Sequence, residues 1–241
     1  MTVSKLTTIV IVTFKGLVLE KTLSNLCKRF KILIIENSND KNFKIKIEKK
    51  YKNINVFLTG KNYGFSIANN IGLKKVKTYY SLILNPDVII TNDQVLKLEK
   101  ISKKIKDLGI LTCNCNGLFE TVFSNTDKYD NFKIEKNIDY YKKNKFKNLF
   151  FNLPYIPGWC MFFKTSDAKK VNYFDENFFL YFEDRDISKK FKRKNKKLIV
   201  INSIKITHLF GNNSENKNKK IFQKNWHIRF WHMNWSSFYY H

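Results

Sequence analysis

Two uninterrupted runs of aliphatic and β-branched residues near the start of the chain constrain its fold more than any other feature. Residues 8–14 and 32–35 lack the polar alternation of a half-exposed strand, so they predict strands that are covered on both faces. The amphipathic residues 17–30 between them predict a helix. The same alternation continues with two strands and a helix, predicted at residues 55–58, 79–84 and 65–75. We therefore expect an α/β fold with a Rossmann-like, doubly wound, mixed and mainly parallel sheet flanked by helices.

The second half of the chain is less regular and contains a long polar stretch. Residues 92–105 predict a helix capped by Asn92 or Asp93. Residues 124–148 are rich in lysine and asparagine, which predicts a long loop or weakly ordered insertion. Short strands are predicted at residues 109–113, 160–163, 197–201 and 203–207. The length of 241 residues fits a single domain.

The chain is strongly basic, with a formal net charge of +25, but almost all of its basic residues are lysine. Such a charge is compatible with a nucleic acid, an anionic membrane surface or an anionic substrate as the partner. Proteins favour arginine for phosphate and base recognition, and this chain has only four arginines. Its abundant lysine, asparagine, isoleucine and phenylalanine indicate a nucleotide-composition bias in the coding sequence, so we expect no nucleic-acid partner.

The four cysteines predict buried thiols rather than a metal site. Cys27, Cys113, Cys115 and Cys160 contain no CxxC pair. The apolar run near the N-terminus is short and lacks a cleavage site, and no run approaches the roughly 18 apolar residues of a membrane span. These features predict a cytoplasmic protein.

Residues 178–186 place five large apolar residues directly before a group of acids. An apolar environment raises the pKa of a carboxyl group and a neighbouring acid raises it further, so Glu183 or Asp184 is a candidate general base. The alternative is structural, because acids favour the first turn of a helix and Asp186 stands four residues before Lys190. Both interpretations remain open for this segment alone.

Polar residues follow several predicted strands, at the edge where open α/β sheets bind ligands. Asp87 follows a buried strand and Pro86, so its carboxylate can bind a divalent cation beside a diphosphate, although Asn-Pro-Asp is also a common turn sequence. Glu36 can bind a ribose or a base edge. His208 is either a metal ligand or a structural histidine. Gly64 begins a predicted helix, which also suits simple helix–sheet packing.

The C-terminal residues interleave aromatic and basic side chains. Trp226, Phe230, Met233 and Ser237 recur at helical spacing, which predicts an amphipathic helix. Two partners suit its apolar face: the core of the same domain, which we prefer, and the headgroup layer of a membrane.

In chain order, these motifs resemble the family 2 glycosyltransferases with the GT-A fold, particularly the bacterial rhamnosyltransferase-like members. The resemblance extends over residues 8–214. Its six motifs are residues 12–15 (VTFK), 35–40 (IENSND), 62–72 (NYGFSIANNIG), 84–88 (LNPDV), 158–161 (GWCM) and 174–186 (FDENFFLYFEDRD), and His208 follows them. One such motif is a weak signal, whereas six in the same order are specific. The resemblance implies transfer of a sugar from a nucleotide diphosphate to an acceptor hydroxyl, with inversion at the anomeric carbon.

The resemblance also implies roles for the candidate residues. Asp87 matches the last acid of the family's Asp-x-Asp-like motif and would hold Mg²⁺ or Mn²⁺ against the diphosphate, with His208 as a second ligand. Asp184 matches the aspartate of the family's Glu-Asp motif and would be the catalytic base, with Glu183 in reserve. The implied donor-binding residues are Thr13, Glu36, Asn62, Gly64, Asn85 and Asp87, and Trp159 would contact the acceptor sugar.

The resemblance divides the chain into three parts. Residues 1–115 would be the nucleotide-binding half, residues 149–214 the acceptor and catalytic half, and residues 215–241 a C-terminal aromatic and basic helix. The implied acceptor is a glycan or a polyprenyl-diphosphate-linked sugar in the synthesis of a bacterial surface polysaccharide. The enzyme would work as a peripheral protein at the inner face of the cytoplasmic membrane, where excess lysine favours anionic lipid.

Three positions depart from the family's usual pattern. Glu36 replaces a more usual aspartate, Asn85 replaces the first acid of the Asp-x-Asp pattern, and Lys15 stands where asparagine is frequent. Two other functions also remain open. One is a basic module that binds single-stranded nucleic acid through its aromatic C-terminus, and the other is a catalytically silent relative that only binds nucleotide sugars.

Overall fold

The computed structural model describes residues 4–16, 19–26, 29–116, 149–150, 153–209 and 226–241. The strands are β1 (Thr7–Thr13), β2 (Lys31–Glu36), β3 (Ile54–Leu58), β4 (Tyr80–Leu84), β5 (Val88–Ile89), β6 (Leu108–Cys115), β7 (Leu149–Phe150), β8 (Cys160–Lys164) and β9 (Lys197–His208). The helices are α1 (Leu19–Leu26), α2 (Lys41–Lys50), α3 (Gly64–Lys75), α4 (Asn92–Ser102), α5 (Thr165–Lys170), α6 (Glu183–Arg193) and α7 (Trp226–Tyr240). The predicted loop at residues 124–148 and Cys27 lie outside the described residues.

The first four strands form a parallel half-sheet in the order β3, β2, β1, β4. In β1, Ile9 and Ile11 pack into one core and Val10 into the core on the opposite face. Leu23 of α1 belongs to the first core and Leu73 of α3 to the second. Burial on both faces explains why these strands lack polar alternation. The predicted doubly wound, mixed and mainly parallel sheet flanked by helices is confirmed.

A second half-sheet begins where β8 pairs antiparallel with β4 and with β6. β6 continues in parallel with β9, to which β5 and β7 add short antiparallel strands. Because β4 and β8 run in opposite directions, Leu84 at the end of β4 pairs with Cys160 at the start of β8. The N–H of Asn85 then donates to the carbonyl oxygen of Trp159 at 2.9 Å. The residues that follow β4 therefore meet the residues that precede β8.

The two closing strands predicted at residues 197–201 and 203–207 are one strand, β9. Its pairing with β6 changes register after Cys113: Cys113 pairs with Ile201, and the next residue of β6 pairs with Lys205. Asn202 and Ser203 lie within this irregularity, so they do not end the strand.

The predicted limits of the helix at residues 92–105 need a small correction. α4 ends at Ser102, and its N-cap is Thr91 rather than Asn92 or Asp93. Thr91 and Gln94 satisfy each other's backbone N–H groups in a reciprocal capping box, which an asparagine or aspartate one or two positions later does not form.

Of the C-terminal helix predicted at residues 215–241, the structure describes residues 226–241. Trp226–Tyr240 form α7, which contacts the domain through a different face from the predicted one. The ring of His232 stacks on that of Phe179, with centroids 4.4 Å apart. The buried hydroxyl of Ser236 donates to the carbonyl oxygen of Leu180 at 2.8 Å. Phe230, in the predicted apolar face, is 55% exposed. The prediction of the contact face was wrong because a small polar residue and a histidine make the closest approach.

Three cysteines lie within the described residues, and each is a buried free thiol. Burial raises the pKa of Cys115 to about 12. A thiol with such a pKa stays protonated and unreactive at neutral pH. Cys113, Cys115 and Cys160 are all buried in the core, where they serve as small apolar residues.

Candidate active site

The carboxylate of Asp87 and the imidazole of His208 form a direct pair at one edge of the sheet. Asp87 precedes β5 and His208 ends β9, and the pairing of β5 with β9 brings them side by side. His208 Nε2 and Asp87 Oδ1 are 2.9 Å apart, and both side chains are largely buried. Asn116 fixes the backbone of His208, because its side chain donates to the His208 carbonyl oxygen and accepts the His208 N–H.

This pair has the ligand chemistry of a divalent-cation site. Carboxylate oxygen suits Mg²⁺ and Mn²⁺, and neutral imidazole is a common ligand of divalent transition metals. Two neighbouring ligands of an octahedral ion with bonds of about 2.1 Å lie roughly 3 Å apart, which matches the 2.9 Å between Asp87 and His208. Within the described residues, no cluster of three or more His, Cys, Asp and Glu side chains is suited to a metal ion. Asp87 and His208 are therefore suited to supply two neighbouring ligands to one divalent cation.

Glu183 and Asp184 begin α6 in different surroundings. Asp184 is partly exposed and accepts the N–H groups of Gly158 at 3.2 Å and Arg185 at 2.8 Å. Glu183 is buried, and its Oε2 has no hydrogen-bond partner in the described part of the chain. Burial, reinforced by the charge of Asp184, raises the pKa of Glu183 to about 8. Burial also raises the pKa of Asp184, against the effect of its backbone donors. With a pKa of about 8, Glu183 keeps its proton at neutral pH, and Asp184 is the more exposed acid of the two.

Two consecutive residues, Gly158 and Trp159, connect these two pairs of side chains. The N–H of Gly158 donates to Asp184 Oδ2, and the ring of Trp159 lies 5.7 Å from that of His208. The indole N–H of Trp159 is buried and has no partner among the described residues. The structure thus brings Asp87, His208, Trp159 and Asp184 together at the edge where β4 meets β8. The motif at residues 158–161 pointed to this region, but the hydrogen bond of the Gly158 backbone had no sequence signal.

The backbone immediately before α6 is strained. Tyr181 and Phe182 have φ angles of 69° and 65°, a left-handed conformation that costs such residues roughly 1–3 kcal/mol each. The Phe182 ring lies 4.9 Å from the guanidinium of Arg185 and 5.6 Å from the ring of Tyr240 in α7. These contacts hold the turn that directs the two acids.

Asn37, which had no role assigned from the sequence, organises the predicted donor side. Its amide donates to Asn62 Oδ1 at 2.8 Å and to the Gly64 carbonyl oxygen at 3.0 Å. Its own Oδ1 accepts the N–H of Tyr63 at 3.0 Å. Gly64 has a φ of 79° and lies so close to the carbonyl oxygen of Phe179 that a Cβ would overlap with it. α3 therefore begins directly against the segment that leads to the two acids.

Glu36 is buried, and its carboxylate holds the loop that follows β1. Oε1 accepts the N–H of Lys15 at 2.8 Å and the hydroxyl of Ser38 at 2.6 Å, and Oε2 accepts the N–H of Gly16 at 3.1 Å. Lys15 and Gly16 both have left-handed φ angles, 57° and 60°. Beside them, Thr13 is buried and its hydroxyl has no partner in the described ranges. Glu36 thus shapes the loop, and in this conformation its carboxylate is not open to solvent.

Comparison with known families and proteins identifies relatives of this chain. The family model described as Glycosyl transferase family 2 matches residues 8–171. Rhamnosyltransferase WbbL of Escherichia coli (strain K12) is 25% identical over 232 residues, which cover 88% of this chain and 85% of that protein.

Solved structures resemble this chain in fold. A crystal structure of GalNAc-T7 with UDP, GalNAc and Mn²⁺ has a TM-score of 0.63 at 15% identity, over 84% of this chain and 43% of that one. Mannosyltransferase PcManGT from Pyrobaculum calidifontis, in complex with GDP-Man and Mn²⁺, has a TM-score of 0.60 at 11% identity, over 84% of this chain and 56% of that one. This chain thus spans about half the length of each. These likenesses confirm the predicted GT-A fold.

Replacing Glu36 with glutamine should lower the free energy of unfolding by about 1–3 kcal/mol. The amide NH₂ group of E36Q would face a backbone N–H of Lys15 or Gly16 and leave that donor without an acceptor. Ser38→Ala is the matched control, because it removes one hydroxyl donor and keeps both backbone bonds. We expect S38A to cost no more than about 1 kcal/mol. Urea denaturation of the three proteins measures this, and equal stability of E36Q and wild type would contradict the role in holding the loop.

The stability of the wild type relative to E183Q should fall as the pH rises from 4.5 to about 8, the interval between the ordinary pKa of a glutamate and that of folded Glu183. In this interval the folded chain keeps the Glu183 proton and the unfolded chain has lost it, so rising pH favours unfolding. The slope should be at most about 1.4 kcal/mol per pH unit. Denaturation of both proteins across this range checks the sign. Parallel pH profiles would mean that Glu183 is not buried in its neutral form.

Proposed function

Since the chain belongs to glycosyltransferase family 2, as its match over residues 8–171 shows, we propose that it is an inverting, metal-dependent glycosyltransferase. It transfers a sugar from a nucleotide diphosphate to a hydroxyl of a glycan or polyprenyl-linked acceptor in bacterial surface polysaccharide synthesis. The relationship to a rhamnosyltransferase supports the class of reaction. A peripheral position at the inner face of the cytoplasmic membrane belongs to the same proposal.

The observation that carries this proposal is the link through Gly158 and Trp159. Gly158 binds Asp184 through its N–H, and Trp159 packs against His208, which contacts Asp87. During transfer, the acceptor oxygen that loses its proton and the diphosphate that departs lie on opposite sides of one sugar carbon, so the base and the group that binds the diphosphate must lie in one site. Adjacent backbone positions hold both groups here, which supports a shared reaction site.

Asp184 is the proposed catalytic base. It is the accessible acid of the pair, and burial raises its pKa, which makes its carboxylate a stronger base than one in water. Two backbone N–H groups fix its orientation. Glu183 is buried and keeps its own proton at neutral pH. Because it is then uncharged, it places no second negative charge beside Asp184.

The proposed transfer is a single displacement. The Asp184 carboxylate accepts the proton of the acceptor hydroxyl while the hydroxyl oxygen forms a bond to the anomeric carbon. The bond from that carbon to the nucleotide diphosphate breaks, and its electron pair leaves with the diphosphate. Attack from the face opposite the leaving group inverts the configuration at the carbon.

Asp87 and His208 are the proposed ligands of Mg²⁺ or Mn²⁺. When bound, the cation supplies positive charge that stabilises the departing diphosphate. Asp87 and His208 hold their two ligand atoms at a separation that suits neighbouring positions on one ion. Structures of GalNAc-T7 and PcManGT, which share the fold, contain Mn²⁺, and this supports the same type of cofactor here.

The donor nucleotide is proposed to lie along the ends of β1, β2 and α3. Thr13 offers a hydroxyl that has no partner among the described residues, and Asn62 and Gly64 are held by Asn37. Glu36 contributes by holding the loop after β1. Other proposed contacts are Asn85 to the donor and Trp159, through its ring face, to the acceptor sugar.

Asp184→Asn should reduce turnover by about 10²–10⁴-fold, because asparagine cannot accept the acceptor proton. Donor affinity should be nearly unchanged, since Asp184 is not proposed to bind the nucleotide. Release of nucleoside diphosphate, with water or a sugar as the acceptor, measures turnover. Glu183→Gln is the matched control and should retain most activity. A larger loss in E183Q than in D184N would reassign the base to Glu183, and full activity of D184N would reject the mechanism.

Mn²⁺ should strengthen the stabilisation of the protein by its own nucleotide sugar in a thermal-shift panel of UDP-, GDP- and dTDP-sugars. Asp87→Ala and His208→Ala should each remove most of the Mn²⁺-dependent shift, because each loses one proposed ligand. Asp93→Ala is the matched control, since Asp93 is an exposed acid in the first turn of α4. EDTA should abolish turnover. Turnover that is indifferent to EDTA would contradict the metal assignment, and a shift without any turnover would identify a catalytically silent relative.

A further inference from the structure

α7 is joined to the segment before the two acids by aromatic contacts. The ring pairs, with centroid distances, are Phe178 with Tyr239 at 5.0 Å, Phe179 with His232 at 4.4 Å and Phe182 with Tyr240 at 5.6 Å. Ser236, which is fully buried, adds its hydrogen bond to Leu180. One face of α7 is therefore built into the side of the domain that carries Asp184.

A second face of α7 carries large apolar residues that are not covered. The outer stripe, as we name it, consists of Ile228, Trp231, Trp235 and Phe238, with exposed fractions of 47%, 60%, 45% and 80%. Their spacing of three, four and three residues places them along one side of a helix. The rings of Trp231 and Trp235 are stacked, with centroids 6.2 Å apart, and Phe238 follows at 6.3 Å from Trp235. The outer stripe is thus a continuous apolar surface.

The chain that carries the outer stripe is strongly basic. Residues 226–241 include Arg229 and contain no aspartate or glutamate. On the packed side of α7, Lys189 Nζ of α6 lies 4.8 Å from the ring centroid of Tyr240, and Asp175 accepts the hydroxyl of Tyr239 at 3.2 Å. The whole chain carries a formal charge of +25. A partner of this face therefore has apolar groups beside negative charge.

We infer that the outer stripe binds the surface of an anionic lipid bilayer, with α7 parallel to that surface. Tryptophan and phenylalanine on one side of a helix insert at the boundary between headgroups and acyl chains. Nearby basic residues are attracted to anionic headgroups. α7 has 15 residues, and none of the helices in the described ranges has the length and hydrophobicity of a membrane-spanning segment. The contact is therefore superficial.

A second copy of this chain fits the outer stripe less well. Two helices that pair through such a stripe usually place opposite charges on its flanks, and residues 226–241 contain no acid to supply them. Association of two chains that each carry +25 is also opposed by charge repulsion. An anionic bilayer, in contrast, attracts a chain with this positive charge.

If the proposed function holds, binding to a bilayer also sets the side from which the acceptor reaches Asp184. α7 contacts residues 178–182, and α6 with Asp184 begins at the next residue. Binding of the outer stripe to a bilayer would turn this side of the domain toward the lipid. An acceptor hydroxyl carried on a lipid-linked sugar would then approach Asp184 from the membrane side.

The full chain should sediment with vesicles of phosphatidylglycerol and phosphatidylethanolamine, and only weakly with phosphatidylcholine alone. The triple variant W231S/W235S/F238S should bind the anionic vesicles at least roughly tenfold more weakly. Ile45→Ser is the matched control and should bind as the wild type does, because Ile45 is 64% exposed on distant α2. Brominated lipid should quench the tryptophan fluorescence of the wild type, and this readout remains informative if the triple variant does not fold.

Three results would overturn the inference: absence of wild-type binding to anionic vesicles, equal binding of a folded triple variant, or a dimer in sedimentation velocity that the triple variant abolishes. Asp184→Asn separates this inference from the proposed function. D184N should bind vesicles as the wild type does, whether or not Asp184 is the catalytic base. Failure of vesicle binding would leave the catalytic proposal intact.

Discussion

The antiparallel pairing of β4 with β8 is the contact on which the candidate site depends. In a fully parallel sheet, the start of β8 would lie at the opposite edge from the end of β4. The reversal brings Trp159, just before β8, next to Asn85, just after β4. β6 reverses the direction again, and β9 runs parallel to it, so His208 ends at the same edge as Asp87. Two changes of strand direction thus assemble one site from distant parts of the chain.

The parallel half-sheet could be predicted because each strand is a local pattern, as in the apolar residues 8–14 and 32–35. The position of β8 in the sheet could not be predicted. Residues 160–163 indicate an apolar strand, but their sequence does not indicate which strands it pairs with. Asp87 and Asp184 were recognisable from motifs. The hydrogen-bond donors to Asp184 were not, because they are the backbone N–H groups of Gly158 and Arg185. A hydrogen bond from a backbone N–H cannot be recognised from the sequence, because almost every residue type has this group.

The contact face of α7 shows why a count of apolar residues can mislead. Helical spacing assigned the buried side to the residues in register with Phe230, which is largely exposed. The face that packs uses His232, which stacks on an aromatic ring, and Ser236, which is small and makes a hydrogen bond. Glu36, at the end of β2, makes the same point. Its residue type indicated ligand binding, whereas its environment shows three hydrogen bonds to the protein itself.

The left-handed turn at Tyr181 and Phe182 combines backbone strain with ring contacts that only an aromatic side chain makes. Glycine adopts such φ angles without steric cost, so glycine at either position would relieve local strain. It would also delete a ring, and the Phe182 ring is in contact with α7 and with Arg185. Glycine at position 182 would therefore exchange relief of backbone strain for the loss of both ring contacts. The turn thus stores backbone strain at the point where the chain enters the helix that carries Asp184, the base of our proposal.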